Sequence, residues 1–209
     1  MTYAFCNIYD YDDGQYRAMY DAMSPERRAR ADGFRFKDDR MRCICADMLC
    51  RKMLAKASGL DAPSILFAPG EKGKPYANVP CHFNVSHSAD FVLCAVSEGP
   101  IGVDIEQIKP FRARLVVRYF TDTEAKYVWG GKAEQTGNVT DPDTCARFYR
   151  VWTAKEAYVK MTGTGISTDL SAVTFDPDAC TVCAIPLLIV DAPDGYVASI
   201  IEKDCFKWG

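Results

Sequence analysis

Apolar and polar positions along this 209-residue chain change their period several times, and each change marks an element. Residues 3–9 alternate loosely, which predicts a strand. Ser24-Pro25-Glu26-Arg27 predicts a helix start, with a hydroxyl cap, proline at the first helical position and an acid in the first turn. From Lys37 to Ser58 the apolar residues Met41, Ile44, Cys45, Met48 and Leu49 recur on one face, predicting a helix that Gly59 stops. Ile65-Leu66-Phe67 leads into a turn over residues 70–75. Strands are then predicted at 83–86, 91–96 and 101–105.

In the second half, residues 111–120 read as a helix and Thr121-Asp122-Thr123-Glu124 as a capping box opening another. Residues 130–144, rich in Gly, Thr, Asn and Asp, read as a mobile loop. A helix over 147–161 should end at Gly163-Thr164-Gly165, and strands should follow at 172–175, 183–190 and 196–202. Helices with antiparallel strands in each half make this an α+β pattern, although no sequence repeat marks a duplication.

Composition is that of an ordinary soluble chain, 48% hydrophobic and 25% charged. No run approaches the length of a membrane span; the stretch 184–190 is short and holds Pro186. The start, Met1-Thr2-Tyr3-Ala4-Phe5, lacks the basic region and apolar core of a signal peptide, so the chain reads as cytoplasmic. Of its ten cysteines, only Cys180 and Cys183 form a C-x-x-C, and no second pair completes a zinc motif. The expectation is reduced, buried thiols. Between Ser24 and Lys56, ten basic residues face five acids, a charge of +5; with −3 overall, the remainder is −8. That balance disfavours nucleic acid and suits one phosphorylated small molecule.

Candidate chemistry sits in three places. In Gly102-Val103-Asp104-Ile105-Glu106 the strand period puts both carboxylates on one face and Val103 and Ile105 on the core side. Two such acids repel unless a cation lies between them, and magnesium favours carboxylates completed by phosphate oxygens. On the helix, Trp152, Glu156 and Lys160 recur at i, i+4, i+8; an aromatic on the same stripe as an ion pair points to a cleft rather than to solvent. In Phe83-Asn84-Val85-Ser86-His87-Ser88, His87 could join a Ser/His pair, pack in the core, or bind an anion with Ser86; no G-x-S-x-G elbow accompanies it.

Together with Gly73-Lys74-Pro75 and Trp152-Thr153-Ala154-Lys155-Glu156-Ala157, these segments resemble, in order and spacing, the Sfp-type 4′-phosphopantetheinyl transferases. The likeness runs from Ser24-Pro25-Glu26-Arg27-Arg28 to about Phe175. It implies a monomer of two similar α+β halves arranged as a pseudo-dimer, residues 1–102 and 103–209, with the site in the cleft between them. It implies transfer of 4′-phosphopantetheine from coenzyme A to a serine of an apo acyl or peptidyl carrier protein, releasing 3′,5′-ADP. Mg2+, or Mn2+, would be held by Asp104, Glu106 and Glu156. Glu156 would also be the base, direct or through water, and Lys155 and Lys160 would contact phosphates, Lys160 at the reaction centre. Ser86, His87, Lys74, Arg27 and Arg30 would hold the nucleotide and its 3′-phosphate, and Glu124 falls where the family often has another acid. Cys43 replaces a frequent hydroxyl residue, and the tail of longer relatives is expected to be missing.

The region 111–120 with the loop 130–144 is expected to form the carrier surface, with Arg112, Arg114 and Arg118 meeting an acidic partner. Two other readings use the same residues: a metal-dependent nucleotide phosphohydrolase, and a catalytically inactive binding module of the same fold.

Overall fold

In the computed structural model, which describes residues 1–70, 74–165 and 169–203, two antiparallel sheets each carry one long helix across a face. The chain enters through β1 (Thr2–Asn7), then α1 (Asp13–Asp21), α2 (Pro25–Asp32) and α3 (Lys37–Ser58). Ser24 caps α2 by accepting from the Arg27 amide at 3.3 Å, and Gly59, at φ 74°, ends α3 in the left-handed conformation that glycine adopts without strain. The hairpin β2 (Phe67–Pro69) and β3 (Pro75–Ala77) precedes β4 (His82–Ser88) and β5 (Phe91–Ser97). The first sheet runs β1-β5-β4, and α3 packs on it through Met41, Cys45, Leu49 and Leu54.

The second half begins with β6 (Ile101–Gln107), followed by β7 (Phe111–Arg112), α4 (Arg114–Tyr119), α5 (Asp122–Trp129) and β8 (Asn138–Val139). Then come α6 (Pro142–Thr162), β9 (Phe175–Asp176), β10 (Thr181–Val182), β11 (Ile185–Val190) and β12 (Tyr196–Glu202). Five strands order as β6-β12-β11-β10-β9, and α6 lies on β6 and β12. The division expected at 102/103 falls inside β6, which pairs along its whole length with β12.

Alternation along β6 decides what faces what. Ile101, Val103 and Ile105 join Leu93 and Ala95 of β5 and Ile200 of β12 in a third core that fuses the two halves. Gly102, Asp104 and Glu106 take the other face, where the missing side chain of Gly102 lets the α6 backbone come close at Ala157 and Met161. Among the described residues no backbone ladder joins β4 to β6; side chains do so instead. Asn84 Oδ1 accepts from the Val103 amide at 2.8 Å, Ser86 donates to Asp104 at 2.7 Å and Ser88 to Glu106 at 2.7 Å.

Several elements differ from the sequence expectation. Residues 111–120 are not one helix: Phe111 and Arg112 pair with Val139 and Asn138, and the Phe111 ring stacks on Phe148 at 3.9 Å, so α4 starts only at Arg114. The loop 130–144 is shorter than read, because Asp141 accepts from the Thr144 amide and Pro142 opens α6 five residues before position 147. The strand expected at 183–190 is β11 from Ile185 on; Cys183 and Ala184, with φ of 47° and 64°, form the turn that pairs it with β10. The stretch 172–175 reduces to β9.

Six of the nine described cysteines are buried; Cys205 lies outside the described residues, as do Gly73 and part of the turn at 70–75. Among the described residues no helix is long and apolar enough to cross a membrane.

Candidate active site

A cavity of about 480 Å³ opens where the two halves meet. Its lining includes Asp104 and Glu106 from β6, Trp152, Glu156 and Lys160 from α6, Ser86 and His87 from β4, and Arg27 and Arg30 from α2. Elements far apart in sequence thus bring one acidic and one basic wall together. The i, i+4, i+8 spacing on α6 aims all three of its residues into this space. Trp152 is held from behind by Phe148, stacked at 5.8 Å, and edge-on by Tyr119 at 5.8 Å.

The acidic wall is crowded. Lys160 Nζ donates to Asp104 Oδ1 at 2.6 Å and to Ser86 Oγ at 2.8 Å. Asp104 is 4% exposed, and its Oδ2 is buried without a hydrogen-bond partner among the described residues. Burial pushes the Glu156 carboxyl above its usual range; the negative charges of Asp104 and Glu106 add to the rise, and Lys160 opposes it. Glu106 is also raised, chiefly by burial and then by Asp104, against the Ser88 hydrogen bond. Glu106 and Glu156, which burial holds in disfavour, beside Asp104 with an oxygen left unsatisfied, form a donor set suited to a hard cation. No three Asp, Glu, His or Cys side chains among the described residues yet stand close enough to make a ready-built metal site.

The opposite wall is basic. Arg27 is turned by Asp47, buried to 2% exposure, whose other oxygen takes Arg51 at 2.7 Å. Arg30 is exposed at the rim. His87 stands solvent-accessible at the mouth, and the protein around it, then Arg42 and Lys160, pushes its imidazole below the usual range. Ser86 Oγ is engaged by Asp104 and Lys160, which leaves the Ser/His nucleophile reading without its hydrogen bond. Cys43 also lines the cavity.

Three expected site residues stand elsewhere. Lys155 is 1% exposed and does not face the cavity; its ammonium pairs with Glu124 at 2.6 Å. Glu124, fully buried, therefore serves that pair and not the acidic wall. Lys74 Nζ donates to the carbonyls of Ile101, Lys160 and Met161, at 2.8–3.2 Å, closing the C-terminal end of α6. An ammonium has three donors, so these contacts occupy Lys74, which borders a second cavity of about 460 Å³ instead. Phe34, Asp39 and Ser88 were missed by the sequence reading. Phe34 and Asp39 line the cavity, and Ser88 orients Glu106. The serine repeat at alternate positions of β4, matching the acids of β6, was the available sign of that last contact.

Two family profiles match adjoining stretches of the chain: residues 11–99 the N-terminal region of 4′-phosphopantetheinyl transferases, and residues 100–199 the 4′-phosphopantetheinyl transferase superfamily. A 4′-phosphopantetheinyl transferase of Bacillus subtilis is 38% identical over 161 residues, 76% of this chain and 68% of that protein. The transferase Sfp of Bacillus subtilis strain 168 is 36% identical over 192 residues, 85% of this chain and 81% of its own. HetI of Nostoc, also a 4′-phosphopantetheinyl transferase, is 31% identical over 211 residues, 95% of this chain and 86% of its own.

Proposed function

The chain belongs to the Sfp-type 4′-phosphopantetheinyl transferase family, and from that premise we propose that it moves 4′-phosphopantetheine from coenzyme A to a carrier-protein serine. The observation that carries this reading is the cavity itself, where three carboxylates and Lys160 face arginines and a histidine across a space suited to a nucleotide diphosphate.

In the reaction the serine hydroxyl attacks the phosphorus that bears pantetheine. A new oxygen–phosphorus bond forms, the pyrophosphate bridge breaks, and 3′,5′-ADP leaves with the bridging electrons. Glu156 takes the serine proton. Lys160, placed by Asp104 and Ser86, neutralises charge that develops on the phosphate oxygens. Arg27, Arg30, Ser86 and His87 hold the nucleotide and its 3′-phosphate. Asp104, Glu106 and Glu156 would hold a magnesium or manganese ion, which when bound would supply Lewis-acid polarisation of the diphosphate. The unsatisfied Asp104 oxygen supports that assignment. Lys155 and Lys74 are not among the phosphate contacts in this reading, because their donors are engaged within the protein.

We further take the protein as a cytoplasmic monomer whose halves form a pseudo-dimer, each an antiparallel sheet under one helix of 22 or 21 residues. The carrier, acyl or peptidyl, would dock on α4, where Arg114 and Arg118 flank the 81% exposed Val117. Incubating an apo carrier with coenzyme A and magnesium should add one phosphopantetheine to its mass. Release of a nucleotide product with no change in the carrier would replace this reading with a phosphohydrolase.

A further inference from the structure

The buried ion pair between α5 and α6 lies outside the cavity, and its connections run from α4 to the turn of α6 that carries Glu156. Lys155 on α6 and Glu124 on α5 meet at 2.6 Å with exposures of 1% and 0%. Lys155 gives its other two donors to the Tyr119 carbonyl at 2.7 Å and the Leu170 carbonyl at 3.1 Å, so its ammonium is saturated. Glu124 accepts from the Thr121 amide at 2.7 Å and the Phe175 amide at 2.6 Å. The pair thereby ties the end of α4, the cap of α5, β9 and the segment at Leu170 to one turn of α6. A buried pair of this kind adds little net stability over apolar residues, but removing one partner strands a charge.

Its position matters more than its energy. Tyr119 is gripped twice: Lys155 holds its carbonyl, and its ring packs on Trp152, which lines the cavity. Glu156 is the next residue after Lys155. The exposed face of α4 is therefore fixed relative to Glu156 by one short chain of contacts. Resting on the transferase reading above, we propose that Lys155 and Glu124 are positioning residues for the carrier, holding α4 so that a serine delivered there meets Glu156. Neither touches coenzyme A.

The test is the neutral double variant E124Q/K155M, in which the single Gln oxygen can serve only one of the two amides, Thr121 or Phe175, that Glu124 binds through separate oxygens, and Tyr119 loses its anchor. Calorimetry should give a coenzyme A Kd within about threefold of wild type, while kcat/KM for carrier falls about tenfold or more. Coenzyme A binding weakened more than about tenfold, with the melting temperature kept, would make Lys155 a phosphate ligand and overturn the proposal. Unchanged carrier kinetics would leave the pair a merely structural feature and overturn it equally. If the variant does not fold, the wild type decides through nitrogen-15 spectra of its lysine ammonium groups. Adding coenzyme A should shift the Lys160 signal and leave that of Lys155 in place; a shift at Lys155 as large as at Lys160 refutes the role. A wild type that modifies no carrier overturns the transferase reading itself, which a failure confined to the variant does not.

Discussion

Replacing Gly102 by alanine should disable the site without touching a reacting group. A Cβ at this position would fall well inside contact distance of the Ala157 carbonyl and the Met161 amide, and 2.9 Å from Met161 Cα. Carbon atoms settle at about 3.5–4.0 Å, so α6 must withdraw by at least about half an ångström at Met161, and farther at Ala157. All three obstacles are backbone atoms of one helix, which cannot rotate away as a side chain would. The Lys160–Asp104 bond, now 2.6 Å, would stretch toward the limit of hydrogen bonding, and Glu156 would retreat from β6 with it. Overpacking of this kind costs about 1–3 kcal/mol, or about 2–12 °C of melting temperature for a domain of this size. A misplacement near 1 Å can cost about a hundredfold in rate. Melting followed by circular dichroism and transfer followed by carrier mass would measure both. Wild-type kcat/KM with melting unchanged within about a degree would show that β6 and α6 are not held together as tightly as described.

Two further outcomes follow from the charges. Magnesium at a hundred times its Kd should stabilise the wild type by about 2.7 kcal/mol, a rise of about 5–11 °C, by relieving the crowded acids; D104N should show almost none of this rise, and an equal rise in both removes Asp104 from the ligand set. His87 starts below the usual histidine range, and a bound phosphate would raise it, so coenzyme A binding should take up protons and tighten as pH falls through the window between those two values. Calorimetry in buffers of different ionisation heat should reveal that uptake in wild type and not in H87A; the same uptake in both would place the proton elsewhere.

Much of the fold that shapes the candidate site was legible because its signals are local. Ser24-Pro25 named the start of α2, Gly59 the end of α3, and the alternation in β6 put Asp104 and Glu106 opposite Val103. What failed was anything decided by a distant partner. Lys155 and Lys160 look alike in sequence, five positions apart on one helix. That spacing turns them about 140° from each other, and only the fold shows that Glu124 waits on one side and Asp104 on the other. Lys74 read as a phosphate ligand because nothing in Gly73-Lys74-Pro75 discloses the carbonyl end of α6. The helix expected at 111–120 lost its first turn to a two-residue pairing with Asn138 and Val139, a contact that reaches across α4 and α5 in sequence. Helix α1 went unread because none of its residues is buried, although Asp12 and Gln15 cap it reciprocally.

The seam between β4 and β6 has a bearing on how the protein could be divided or recombined. Its polar stitches are hydroxyl to carboxylate and amide to backbone, and the carboxylates are the site's own acids. A cut between Ser97 and Ile101 would leave a row of hydroxyls on one fragment and a row of acids on the other, each beside half of a shared apolar core. Their reunion would therefore respond to pH and to divalent cations as well as to concentration, so that reassembly of the fragments would itself report what the acids are bound to. By the same logic, exchanging the first half for that of a relative would succeed or fail on three small side chains, Asn84, Ser86 and Ser88, before any question of how well the helices pack.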